Sequence, residues 1–114
     1  MRGRLPGVQN KPSPCAWCGR PVAEVSAGRR RRYCRQSCRQ RAYEQRRTLA
    51  GTSIPGDAVI LSAADATAVS DRAFQLRCAC EDVATAVDEG APRDELARMC
   101  ADLVALARQG ERLR

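Results

Sequence analysis

From residue 62 onward, apolar side chains recur at helical spacing. Val69, Ala73, Leu76, Cys80, Val83 and Val87 follow alternating intervals of four and three, and Leu96, Met99, Leu103 and Leu106 continue the rhythm. The pattern predicts two amphipathic helices. Ser62-Ala63-Ala64-Asp65 resembles a capping box with Asp at its last position, which would start the first helix. Gly90 can end that helix, and Pro92 suits the first turn of the next. So short a break predicts an antiparallel helical hairpin over residues 62–114. Two helices bury little between them, so the hairpin is expected to pack on the preceding module or on a second copy of itself.

The first half of the chain reads differently. Arg35 to Ala50 contains no Gly or Pro and is rich in helix formers, with Cys38, Ala42, Gln45 and Leu49 sharing one face and Gly51 placed to stop the helix. Upstream, Arg20 to Val25 and Arg29 to Tyr33 look like two short strands joined around Ser26-Ala27-Gly28. Cys15-Ala16-Trp17-Cys18-Gly19 reads as a tight turn. Residues 1–13, with Pro6, Pro12 and two glycines, read as a flexible basic arm, and residues 52–61, opening Thr52-Ser53-Ile54-Pro55-Gly56, as a linker. The expected architecture is small α+β: turn, β-hairpin and helix over residues 14–51, then the helical hairpin.

Candidate chemistry sits in the cysteines. The 114-residue chain has seven of them and no histidine. A module this small needs a staple. An odd count without a secretory leader argues against a disulfide framework, and a redox Cys-x-x-Cys usually accompanies a βαβ pattern that is absent here. Four cysteines form two pairs, Cys15-x2-Cys18 and Cys34-x3-Cys38, with 15 residues between them. A two-residue gap lets one turn aim both sulfurs at one ion, and an i, i+4 pair can do the same from the first turn of a helix. Gly19 can take positive φ and turn N–H groups toward the sulfurs. We read Cys15, Cys18, Cys34 and Cys38 as ligands of one structural Zn2+. Four thiolates close the metal's shell, and without histidine there is no obvious acid–base group, so no enzymatic activity is expected. Cys78, Cys80 and Cys100 are expected to be free thiols buried in the helical hairpin, with Phe74 and Cys78 on its other side as a second contact.

The pattern C-x2-C-G, a hairpin-length spacer and Y-C-x3-C resembles bacterial treble-clef fingers, including the small zinc-finger DNA gyrase inhibitors. Arg32-Tyr33-Cys34-Arg35-Gln36-Ser37-Cys38-Arg39-Gln40-Arg41-Ala42-Tyr43 is also similar to short actinobacterial zinc-finger proteins with a "YC…CRQRAY" core. The resemblance covers residues 13–47. It implies a treble-clef-like finger of knuckle, hairpin and helix, with the four cysteines as zinc ligands. It implies no gyrase-contacting surface, because the residues past the last cysteine and the helical tail differ.

Charge adds a candidate partner. The formal net charge is +7, with residues 1–51 carrying +11 and residues 52–114 carrying −4. Such asymmetry marks the first half as a candidate polyanion binder. Arg29, Arg30, Arg31 and Arg32 precede the third cysteine, and Arg35, Arg39, Arg41, Arg46 and Arg47 lie along the predicted helix. Together they could straddle a phosphate backbone, with Trp17 stacking on a base. Tyr33 and Tyr43 fit the finger's own small core. The expected function is nucleic-acid binding, DNA in the first instance, by a small regulatory protein whose C-terminal helices meet a second copy or a protein partner. The alternative is a protein-binding adaptor or inhibitor acting on DNA-handling or transcription machinery without touching nucleic acid, its arginines a solvated face. With no apolar run of spanning length, no membrane association is expected, and the chain is read as cytoplasmic.

Overall fold

The computed structural model describes residues 11–23, 28 and 30–114. Among them the chain forms three α-helices and no strand: α1 spans Gln36–Leu49, α2 Ala63–Asp88 and α3 Arg93–Gln109. The α+β expectation is therefore corrected to a helical fold with an irregular cysteine-rich loop. Of the expected arm, residues 1–10 lie outside the described residues, as do residues 24–27 and 29 of the expected β-hairpin.

The described parts of that hairpin find other partners. An isolated antiparallel bridge joins Pro14 to Pro21. The Cys15 N–H donates to the Arg20 carbonyl at 2.7 Å, and the Val22 N–H to the Ser13 carbonyl at 2.9 Å. Pro21 has no N–H to give a neighbouring strand. Arg32, expected opposite the 20–25 segment, instead accepts from the Ala16 N–H at 2.8 Å. Among the described residues the loop is thus closed on the turn at Cys15–Gly19, without the hairpin expected of a treble clef.

Helix α1 follows its sequence signals within a residue at each end. Cys38 and Ala42 are buried, Gln45 and Leu49 half-buried, and the intervening arginines exposed. Gly51, at φ +82°, takes the left-handed conformation that ends the helix at low steric cost. The segment after it lies along α1. Gln45 Nε2 donates to the Ala58 carbonyl at 3.1 Å, and Thr52 Oγ1 to the Leu49 carbonyl at 2.6 Å.

Helix α2 starts as expected, with Ser62 Oγ accepting from the Asp65 N–H at 3.0 Å. Helices α2 and α3 pack on each other. They run antiparallel, because Ala86 and Glu89 at the end of α2 share a groove with Glu95 and Met99 at the start of α3, while Arg72 near the start of α2 reaches Arg112 beyond the end of α3. The seam is one step round from the expected stripe. Val69, Leu76 and Val83 face inward with Leu96, Met99, Leu103 and Leu106, but the intervening places belong to Arg72, Ala79 and Ala86. Ala73, Cys80 and Val87 are exposed. Small alanines on the seam let the backbones approach, and two helices leave the neighbouring face uncovered. For the same reason the expected buried thiols are corrected: Cys80 and Cys100 are exposed and Cys78 is half-buried. Phe74 also remains exposed, with the Arg77 guanidinium 5.2 Å above its ring.

Candidate metal centre and the basic surface around it

The best-buried part of the described structure is not in the long helices. Cys15, Cys18, Val22 and Cys38 form the core cluster, with Trp17, Tyr33 and Cys34 packed against it. Cys15 and Cys18 come from the turn, whose Gly19 has φ +83°. The Gly19 N–H donates back to the Cys15 carbonyl at 3.0 Å, tightening that turn. Cys38 comes from the first turn of α1. Cys34 was expected to pair with Cys38 across the first turn of this helix, but Arg35 is extended (φ −160°, ψ 168°), so Cys34 lies before α1. No side chain caps the start of α1 and no acidic residue sits in its first turn. Thiolate ligands of a bound cation would supply negative charge at that helix end.

The four sulfurs lie within 4.8 Å of one another. Cys18 Sγ is 3.5 Å from Cys34 Sγ, which is 3.7 Å from Cys38 Sγ. Zinc–thiolate bonds of about 2.3 Å in a tetrahedron would set sulfur–sulfur edges of about 3.8 Å. The donor set therefore fits one divalent ion, and all seven cysteines are free thiols. Four cysteines gathered in this way can hold a metal ion.

The electrostatics of the cluster point the same way. Burial pushes the Cys15 thiol up, but the N–H groups of Cys18, Cys34 and Trp17 outweigh it and bring the pKa from 9.0 down to about 6. The Cys34 N–H makes one of these bonds, at 3.3 Å to Cys15 Sγ. Cys18 is also lowered, burial being outweighed by the backbone and side chain of Arg20. Cys34 is pushed up to about 12, first by burial and then by the neighbouring thiols of Cys18, Cys38 and Cys15. One wall of the cluster is ready to ionise and the other resists adding charge beside it. A cation among the four sulfurs relieves both.

Arginines surround this centre. Arg30, Arg31, Arg32, Arg35, Arg39, Arg41, Arg46 and Arg47 are all exposed, and Arg29 lies outside the described residues. Arg35 is held more firmly protonated by the thiol of Cys38 and then by Cys34 and Cys18. Arg20, Arg35 and Arg41 line a cleft of about 470 Å³ with Trp17, Ser37, Asp65 and Arg114. Among the described residues the ion pairs are Arg77–Glu81 at 3.1 Å and Arg98–Asp94 at 3.9 Å, each internal to one helix of the acidic hairpin.

The aromatic residues divide unexpectedly. Tyr33 packs on the core, and its hydroxyl accepts from Arg46 Nη1 at 3.1 Å. Tyr43, expected in the core, is 48% exposed on α1, with the Arg47 guanidinium 5.9 Å from its ring centroid. It shares that helix face with Arg39 and Arg47, at i−4 and i+4. The spacing was legible in the sequence, and sequence reasoning missed it by assigning Tyr43 to the core. Trp17 is half-buried, and the Arg114 guanidinium covers one face of its ring at 3.8 Å. Trp17 can therefore stack on a base only with its other face, or after Arg114 moves.

Comparison with protein-family models, curated proteins and solved structures found no match.

Proposed function

We propose that this chain is a zinc-dependent nucleic-acid-binding module, DNA being the first candidate, with a regulatory role carried by its helical hairpin. The observation that supports it best is the placement of α1. The helix begins at the four-cysteine cluster, just after the exposed Arg35, and sends Arg39, Arg41, Arg46 and Arg47 into solvent with Tyr43 among them. Zinc is the metal proposed, because soft thiolates in a four-coordinate set favour it. Its contribution is to hold a finger that has almost no other core. The arginines then act on phosphates, and an exposed aromatic among them offers a base-stacking surface.

The test is fluorescence anisotropy of labelled duplex and single-stranded DNA at two salt concentrations, with zinc-loaded protein. Binding is expected to weaken steeply with salt. No binding at low salt, or binding indifferent to salt, refutes the reading. A second reading, a protein-binding adaptor, is favoured by the exposure of Phe74, Val87 and Val104 on the helical hairpin. Capture of a protein partner that survives both nuclease treatment and neutralisation of Arg29 to Arg32 would support that reading instead.

A further inference from the structure

The segment after α3 does not trail away from the hairpin. It returns to the cysteine-bearing turn. The Leu113 N–H donates to the Cys18 carbonyl at 2.5 Å. Arg114 Nε donates to the Trp17 carbonyl at 2.8 Å, and its guanidinium lies 3.8 Å from the Trp17 ring centroid. Arg20 Nη1 donates to the Arg114 carbonyl at 3.1 Å. The contact is close enough that a Cβ on Gly19 would sit 2.9 Å from the Glu111 carbonyl oxygen and 3.0 Å from Leu113 Cγ. The other side of the segment is tied to the hairpin and the linker. Arg72 Nη2 donates to the Arg112 carbonyl at 2.8 Å, and Arg114 Nη1 to the Ile60 carbonyl at 2.6 Å.

We infer that residues 111–114 form a metal-dependent clasp, which closes the helical hairpin onto the cysteine-bearing turn when the ion is bound and releases it when the ion is lost. The inference rests on the metal reading given above, and it needs no nucleic acid. Its physical basis is that every group on the turn that the clasp grips belongs to residues 17–20. The positions of the Trp17 and Cys18 carbonyls and of the Trp17 ring follow from having Cys15 and Cys18 on the same ion as Cys34 and Cys38. Without the ion, the four crowded sulfurs have no cation to hold them together. The turn then loses the geometry that the clasp reads. Release uncovers the ring face of Trp17 and frees the Arg20 side chain, so the metal state of the finger reaches the module that faces a partner.

Linkage makes this testable in both directions: if metal closes the clasp, the clasp must strengthen metal binding by the same factor. The experiment uses the full chain and its R114A variant, titrated with Co2+ and then Zn2+ in competition. Amide hydrogen exchange at Leu113 is followed with and without metal. The Leu113 amide is expected to be protected in the loaded protein and to lose that protection on metal removal. R114A is expected to keep the thiolate-to-cobalt absorption band while binding metal at least about fivefold more weakly, the lower end of ordinary coupling between sites. Its single tryptophan, Trp17, is expected to become more accessible to iodide with the metal still bound. Three results overturn the clasp: an unprotected Leu113 amide in the loaded protein, protection that persists after metal removal, or R114A binding metal as tightly as the parent chain. A parent chain with no cobalt–thiolate band overturns the metal reading itself, and the clasp with it.

Discussion

Replacing Cys38 by serine tests the centre most directly. Cys38 is 3% exposed, sits in the first turn of α1 and has its sulfur 3.7 Å from that of Cys34. A structural zinc site supplies about 10–16 kcal/mol of folding free energy, so an equal share per ligand is about 2.5–4 kcal/mol, or roughly two to three orders of magnitude in metal affinity. Little else holds the finger. Apart from the thiols, its buried side chains among the described residues are Val22 and Ala42. Full burial of a valine contributes only about 1.5–2 kcal/mol. Cys38→Ser is therefore expected to melt α1 and leave α2 and α3 helical, since their seam and the Ser62 cap lie outside the metal cluster. Helix α1 has 14 residues against 26 and 17 in the other two, so ellipticity at 222 nm is expected to fall by about a quarter. Cobalt absorption is expected to lose its four-thiolate intensity in the same sample. A fall of more than half would show that finger and hairpin fold as one cooperative unit. An unchanged spectrum would refute the claim that metal holds α1 in place.

The remaining predictions concern the turn, the proton count and the basic face. Gly19→Ala puts a side chain at φ +83° and into the Glu111 carbonyl, so it is expected to destabilise the finger by about 1 kcal/mol or more and to raise exchange at Leu113. Because the Cys15 pKa falls from 9.0 to about 6 on folding, its thiolate stabilises the metal-free finger fully above pH 9, and that stability is lost as pH falls through about 6. Zinc binding then displaces more protons at pH 5 than at pH 7, which calorimetry in buffers of different ionisation enthalpy can count; a constant count contradicts the assignment. Neutralising Arg39 and Arg46 together is expected to weaken DNA binding across all sequences and to lower the salt slope by about two, while Tyr43→Ala weakens single-stranded binding by about 1–3 kcal/mol with no change in that slope. Ser62→Ala is expected to cost about 1 kcal/mol in the thermal stability of α2 and to leave metal binding unchanged.

What the sequence showed and what it hid follow from the range of the forces involved. The three helices, the Ser62 cap and the glycine stops are local, and each depends on residues within a turn of one another. The four cysteines were legible because metal geometry restricts spacing. The hairpin over 20–25 and 29–33 is not found among the described residues, because two short segments around a Gly-containing turn do not say which backbone takes the partner. Pro21 withholds a donor, and Ala16 claims Arg32. The α2 stripe was placed one step off because Ala79 and Cys80 both satisfy a heptad-like count, and only close approach of the helices favours the smaller side chain. The clasp at 111–114 had no signal at all. It joins residues 94 to 97 positions apart through backbone carbonyls, which every residue carries.

The basic surface carries more charge than a metal-bound thiolate cluster needs, and much of it lies along α1. A zinc tetrathiolate carries a net charge of about −2, which two nearby guanidinium groups can balance. Arg20 and Arg35 are placed to do this, since Arg20 acts on the Cys18 thiol and Arg35 responds to Cys38, Cys34 and Cys18. Residues 1–51 nonetheless carry +11. The acidic hairpin does not absorb the excess, because the ion pairs seen among the described residues stay within α2 and α3. Its main grip on the finger is the clasp at Trp17 to Arg20, on the side of the cluster where the compensating arginines already are. Arg39, Arg46 and Arg47 along α1 are thereby left exposed around Tyr43. Unpaired like charges on one short helix repel each other, and a bound polyanion would remove that repulsion and release its own counterions. Along α1 the only opposing charge is Glu44.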